Sequence, residues 1–244
     1  MRFAFLALPL LLTSCASAPA NTPRSPLSES SQLVVVTTPG WNAVDGTMQK
    51  YERRGSAEWQ PVGDAVPIVV GRTGLAWGKG IVSSMAFHGP RKAEGDGKSP
   101  AGMYRFGSAF GFAAESPAAH ALPYLQLTES SECVDDSSSQ SYNRIVERDK
   151  VSAVDWKSSE RMRSVPAYRL GLVVEHNSAA IPRAGSCIFM HLWSGPSAGT
   201  AGCTAMSATA LETLLGWLDP TSRPLLVQLP AAEYQRLRAV WSLP

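Results

Sequence analysis

Residues 187–191 read Cys-Ile-Phe-Met-His, an unbroken apolar run that ends in a histidine. A short run without polar alternation is typical of a β-strand that is buried on both faces. Segments rich in β-branched residues follow the same pattern upstream, among them residues 33–37 and 170–174. The 20 glycines and 18 prolines indicate frequent turns between such strands. The sequence therefore predicts a mainly β domain.

Helical patterns are confined to the C-terminal part of the chain. The spacing of four leucines indicates one apolar helix face, formed by Leu211, Leu214, Leu215 and Leu218. The candidate N-cap of this helix is Ser207 or Thr209. Pro230 is expected to open a second, short amphipathic helix. We therefore expect a few helices that lie at the periphery of the strands.

The composition limits the classes of function. Hydrophobic residues make up 44% of the 244, which is enough for a sizeable core. The 22 Lys and Arg nearly balance the 20 Asp and Glu, so no basic surface predicts a nucleic-acid partner. We expect one monomeric domain.

The N-terminal segment has the pattern of an exported protein. Arg2 precedes the apolar run 3–12, which is too short to cross a bilayer and suits a secretory signal. Residues 12–15, Leu-Thr-Ser-Cys, resemble the lipobox of bacterial lipoproteins. The resemblance implies acylation of Cys15 and a periplasmic protein anchored by lipid in the cell envelope, with the outer membrane as the expected site.

These features divide the chain into four parts. Residues 1–14 are the predicted lipoprotein signal peptide, and residues 15–32 are the lipidated cysteine with a flexible linker rich in Ser, Pro and Ala. Residues 33–230 form the predicted folded domain, followed by a C-terminal helix in residues 231–244. The alternative for the N-terminus is an ordinary signal that is cleaved near residues 16–18.

Cys203 is the strongest candidate for a reactive residue. It follows Gly202 in a turn, where the absence of a side chain lets a substrate carbonyl approach the backbone. The helix predicted near Ser207 is expected to favour a thiolate at Cys203. His191 ends the buried strand 12 residues upstream, so that a fold-back would bring an imidazole to the sulfur.

These residues resemble the signature of the YkuD-type L,D-transpeptidases. That family has an upstream His, a spacer and a Ser/Thr-x-Gly-Cys element, which match residues 189–191 and 200–203 here. Residues 94–102, Glu-Gly-Asp-Gly-Lys-Ser-Pro-Ala-Gly, also resemble the Gly-Lys-Thr-Pro-x-Gly segment of the family. The resemblance spans about residues 33–229 and implies a sandwich-like or barrel-like β fold.

The resemblance also implies a mechanism. Cys203 would be the acyl-accepting nucleophile, His191 its base, and the backbone N–H groups of Gly202 and Cys203 the oxyanion hole. The substrates would be peptidoglycan stem peptides, and neither a metal nor an organic cofactor would be needed. A substrate groove is a further expectation, with His176, Asn177 and Trp193 as candidate lining residues.

Two alternatives follow from positions where this sequence differs from the family. Ala201 and Ala205 stand where the family often has a second His and an Arg. The first alternative is an L,D-carboxypeptidase or amidase of the same fold, in which water replaces the amine acceptor. The second is a non-catalytic lipoprotein that binds the cell wall.

The remaining cysteines leave the pairing open. Cys133, Cys187 and Cys203 are an odd number in an exported chain, so one thiol is expected to be free. We expect a Cys133–Cys187 disulfide that fixes the Ser- and Asp-rich loop 133–143, a candidate lid or surface loop. The alternatives are a disulfide that includes Cys203, or a zinc site formed by Cys187, His191 and Cys203.

Overall fold

The computed structural model describes Met1, residues 25–119 and residues 121–244. The predicted signal sequence after Met1 and the candidate lipidation site Cys15 lie outside the described residues. Strands account for 35% of the structure and helices for 16%, which confirms the mainly β prediction.

The chain forms thirteen strands and two α-helices within the described ranges. The strands are β1 Gln32–Thr38, β2 Asp45–Glu52, β3 Gln60–Val69, β4 Leu75–Trp77, β5 Ser99–Gly111, β6 Tyr124–Gln126, β7 Ser131–Val134, β8 Ile145–Glu147, β9 Ser159–Arg161, β10 Leu170–Val174, β11 Phe189–Leu192, β12 Thr204–Met206 and β13 Leu225–Pro230. The helices are α1 Ala208–Trp217 and α2 Ala231–Trp241, and short 3-10 turns include Met162–Ser164 and Pro166–Arg169.

Eight of the strands close into a barrel. Their order is β10-β11-β12-β3-β2-β1-β13-β5, and β5 pairs with β10 to complete the ring. The length of β5 makes this closure feasible: residues 102–105 pair with β13, and residues 106–111 pair with β10. Closure leaves no open edge among these eight strands.

Both helices cover the barrel with apolar faces. The Ser207 hydroxyl accepts a hydrogen bond from the Ala210 N–H at 3.2 Å, which confirms Ser207 as the N-cap of α1. Helix α1 packs against β10 and β11, and α2 packs against β1 and β13. Leu237 and Trp241 of α2 are buried, because the residues at this spacing share one helix face.

A three-stranded sheet is inserted between β6 and β10, in the order β8-β7-β9. A disulfide joins Cys133 in β7 to Cys187 just before β11, with 6.0 Å between the Cα atoms, which confirms this predicted pair. The predicted loop 133–143 therefore begins within a strand. We call residues 128–169, which contain this sheet and three 3-10 turns, the insertion.

The end of the predicted linker packs on the barrel, contrary to expectation. Leu27 is fully buried, and the Arg53 guanidinium donates hydrogen bonds to the carbonyls of Leu27 and Ser30. The Ser25 hydroxyl donates to the carbonyl of Trp241 at 2.9 Å. One buried leucine and these bonds order a segment whose composition alone predicts a flexible chain. None of the helices in the described ranges combines the length and apolarity needed to cross a bilayer.

Candidate active site

The barrel brings Cys203 and His191 to the same face of two neighbouring strands. Strands β11 and β12 are parallel, with Met190 opposite Thr204 and His191 opposite Ala205. Cys203 directly precedes β12, so it lies beside Phe189, whose N–H donates to Cys203 Sγ at 3.2 Å. Because side chains alternate along a strand, the side chains at 189 and 191 point to the same face as Cys203.

Cys203 is a free thiol in a closed, apolar setting. Its side chain is 6% exposed and packs with the disulfide and with the rings of Phe110, Tyr168 and Phe189. The sulfur also lies 3.5 Å from the Cys187 carbonyl, which can accept the S–H proton. The predicted alternative of a disulfide at Cys203 is therefore wrong.

The surroundings of Cys203 favour the protonated thiol. Burial and the nearby Glu160 carboxylate raise its pKa to about 12, although the Phe189 N–H lowers it. This result contradicts the expectation that the helix near Ser207 favours a thiolate. Helix α1 begins only after β12, so the residues of that strand separate its N-terminus from the sulfur, and the helix dipole acts only over about one turn.

His191 is a neutral imidazole in this structure. Its side chain is 8% exposed, and burial lowers its pKa. Nδ1 lies 2.8 Å from the Leu192 carbonyl, which can only accept a proton, so Nδ1 carries the hydrogen and Nε2 keeps its lone pair. No hydrogen bond joins His191 to Cys203 within the described part of the chain. The imidazole is thus in the form that can accept a proton.

The segment 94–102 lies against the Cys203 turn, although 104 residues separate Ser99 from Cys203. The Ser99 hydroxyl donates to the Cys203 carbonyl at 2.7 Å and accepts from the Gly71 N–H at 2.8 Å. A side chain at Gly202 would bring its Cβ to 3.1 Å from the Lys98 carbonyl, which accounts for glycine there. The two predicted motifs are therefore parts of one site.

The predicted oxyanion donors differ in availability. The Gly202 N–H donates to the Thr200 hydroxyl at 3.1 Å, and that hydroxyl donates to the Cys203 carbonyl at 2.6 Å. The Cys203 N–H donates no hydrogen bond among the described residues. The structure therefore offers the Cys203 amide as the free donor, while the Gly202 amide is engaged in holding the turn.

Two functional candidates were not identified from the sequence. Tyr168 is buried against His191, with 5.2 Å between the ring centroids. Its hydroxyl donates to Glu160 Oε2 at 2.7 Å, and the residue packs in the same buried cluster as Cys203. Both residues belong to the insertion, and neither stands in a motif, so only the tertiary structure brings them to the site.

His176 and Asn177 are held by hydrogen bonds within the protein, and their predicted place in a substrate groove stays a prediction. His176 is buried between the Lys79 N–H, which donates to Nδ1 at 3.3 Å, and the Ala184 carbonyl, which lies 3.0 Å from Nε2. The Asn177 side chain bonds to both the N–H and the carbonyl of Ile181. Their polar atoms are used to order the loop that leads to Cys187.

The other candidates can be placed briefly. Trp193 is half-buried directly after β11, and its backbone N–H donates to the Met206 carbonyl at 2.9 Å. Its predicted place in a groove stays a prediction. The zinc alternative loses a thiolate ligand, because the Cys187 sulfur is bonded to Cys133. No group of three or more metal-binding side chains occurs in residues 25–119 and 121–244.

Comparison with known proteins found no family model and no curated protein that matches this chain.

Proposed function

We propose that this protein is a cysteine acyltransferase that acts on peptidoglycan stem peptides, as an L,D-transpeptidase. The observation that carries the proposal is the free thiol of Cys203, with its own amide unengaged, on the same face as the neutral imidazole of His191. A nucleophile, a base and an oxyanion donor are the three groups that acyl transfer requires.

The reaction begins with a neutral pair. The Cys203 proton passes to Nε2 of His191 as substrate binds, and the thiolate attacks the carbonyl carbon of an L,D peptide bond. The amide of Cys203 donates to the negative oxygen of the tetrahedral intermediate. The carbon–nitrogen bond then breaks, the imidazolium gives its proton to the departing D-amino acid, and a thioester remains on Cys203.

The second half-reaction releases the acyl group. An acceptor amine gives a proton to His191 and attacks the thioester, which forms the new amide and returns the thiol. The choice of peptidoglycan follows from the resemblance of residues 94–102 and 200–203 to the L,D-transpeptidases. A lipid on Cys15 would hold the domain beside the cell wall and raise its local concentration there.

A product analysis tests the function and separates the outcomes. The protein is incubated with muropeptides that carry tetrapeptide stems, and the products are read by mass spectrometry. New crosslinked dimers that require Cys203 and His191 support transpeptidation, whereas shortened stems support the carboxypeptidase alternative. The exposed His88 provides the control variant His88→Asn, which should retain full activity.

A second candidate is a wall-binding lipoprotein without activity. The closed surroundings of Cys203 favour it, since a thiol with a pKa of about 12 is a poor nucleophile until its environment changes. In this case Cys203→Ser binds isolated cell walls as the wild type does, and neither protein changes the muropeptides. Any product that depends on Cys203 excludes the candidate.

A further inference from the structure

The Tyr168 hydroxyl has one proton and two neighbours that can accept it. One is Glu160 Oε2, 2.7 Å away, and the other is the sulfur of Cys203, which belongs to the same buried cluster as Tyr168. In this structure the proton is on the side of Glu160. When Cys203 loses its own proton, the thiolate and the carboxylate therefore compete for the same donor.

Ring contacts fix the place of the Tyr168 side chain in this cluster. The Tyr168 ring packs edge-on against Phe110, Phe189 and His191, at centroid distances of 5.8, 5.4 and 5.2 Å. Glu160 lies opposite Cys133 in the β7–β9 pair, and Cys133 is joined to Cys187 by the disulfide. The Cys187 carbonyl lies 3.5 Å from the Cys203 sulfur, so the hydroxyl and the carboxylate that it bonds are held next to the cluster that contains the reacting atom.

The charges around the pair are mostly negative. Burial raises the pKa of Glu160, the Tyr168 hydroxyl lowers it, and the charges of Asp135 and Glu94 raise it further. The cation near the sulfur is Lys92, whose ammonium is engaged by Asp96 at 2.5 Å. Burial and Glu160 outweigh Lys92 and the hydrogen bonds of Phe189 and Tyr168, so the pKa of Cys203 stays above its ordinary value.

We propose that Glu160 is a positioning residue for Cys203: it accepts the hydrogen bond of the Tyr168 hydroxyl and keeps a negative charge near the sulfur. Both effects hold the thiol in its unreactive form in the absence of substrate. Protonation of Glu160 reverses the hydrogen bond, so that Glu160 donates to Tyr168 and Tyr168 donates to the thiolate. The inference rests on the proposed function, because it assigns a control on the same nucleophile.

The pH dependence of thiol alkylation tests this inference in the full folded protein. Iodoacetamide is used between pH 7 and 9, and modification of Cys203 is followed by mass spectrometry. Glu160→Gln removes the charge, which should lower the thiol pKa by about one unit and speed alkylation about tenfold at each pH. Glu160→Asp keeps the charge and should keep the wild-type profile.

Two further variants make the result specific. Glu147→Gln changes a carboxylate in β8 of the same small sheet, which bonds to the hydroxyls of Thr128, Ser130 and Ser131, and should leave alkylation unchanged. Tyr168→Phe removes the donor to the thiolate, so that alkylation slows and the effect of Glu160→Gln becomes smaller.

The inference is overturned if Glu160→Gln reacts at the wild-type rate, if Glu147→Gln accelerates alkylation equally, or if Tyr168→Phe has no effect. Alkylation reports the ionisation of Cys203 whether or not peptidoglycan is a substrate. An acceleration in Glu160→Gln together with unchanged muropeptides would therefore refute the proposed function and leave the control by Glu160 in place.

Discussion

Cys203 is a nucleophile candidate whose immediate neighbours oppose its ionisation. Burial and Glu160 raise its pKa, while the Phe189 N–H and the Tyr168 hydroxyl lower it. The sequence identified Cys203 and His191 because a strand end and a Gly-Cys turn are local patterns. It could not identify Glu160 and Tyr168, since their proximity to the sulfur depends on how the whole insertion packs.

His176 should make the stability of the protein dependent on pH. Burial lowers its pKa to about 4, from an ordinary value of 6.5, so the folded protein resists its protonation. The contribution of neutral His176 to stability is fully present above pH 6.5 and is lost as the pH falls toward 4. This loss lowers the free energy of unfolding by about 3 kcal/mol.

Chemical denaturation at pH 7 and pH 4 measures this loss. The His176→Gln variant should show a correspondingly smaller difference between the two pH values, whereas His88→Gln, at an exposed position, should behave as the wild type. An equal pH dependence in wild type and His176→Gln would disprove the assignment.

Ser99 should contribute to both stability and activity, because its hydroxyl joins Gly71 to the Cys203 turn. Ser99→Ala leaves the buried Gly71 N–H without a partner, which costs about 1–3 kcal/mol in the free energy of unfolding. Activity should fall as well, since the turn loses a fixed contact. Ser178→Ala, at an exposed position, is the control and should change stability by less than about 0.5 kcal/mol. An equal loss of stability in the two variants would argue against a special role for Ser99.

At the scale of elements, the strands with strong local patterns were predictable and the insertion was not. Strands β1, β10 and β13 are rich in β-branched or leucine residues, and the spacing of leucines predicted α1. The strands β7, β8 and β9 are three or four residues long and contain Ser, Glu and Arg, which give no clear alternation. Their pairing depends on the disulfide and on contacts with the barrel.

Strand β11 starts at Phe189 rather than at Cys187, the start of the predicted run, because Cys187 has a positive φ of 53°.

The disulfide should stabilise the insertion over the site. It closes a loop of 54 residues, and the loss of this constraint in a Cys133→Ala/Cys187→Ala variant should cost about 4 kcal/mol. Cys203 should also become more accessible, because the disulfide packs directly against it.

Thermal unfolding and the rate of iodoacetamide labelling measure these two effects. A double variant with unchanged stability and unchanged labelling of Cys203 would show that the disulfide does not hold the insertion in place. The matched control is Ser178→Ala, for which neither quantity should change.

At the scale of the whole molecule, closure of the barrel explains why distant motifs form one site. The mainly β class follows from the strand patterns. The strand patterns do not predict the closed order of eight strands, because residues 102–111 of β5 must pair with two strands that lie far apart in the sequence. The position of segment 94–102 beside Cys203 is a consequence of that topology.

The central claim is that Cys203 accepts an acyl group with His191 as its base. Trapping of the acyl-enzyme tests it most directly: the protein is incubated with a carbapenem, and the adduct is located by peptide mass mapping. We expect one acyl group on Cys203, none in Cys203→Ser, and formation about 10² to 10⁴ times slower in His191→Asn. An adduct on another residue, or equal rates in the wild type and His191→Asn, would contradict it.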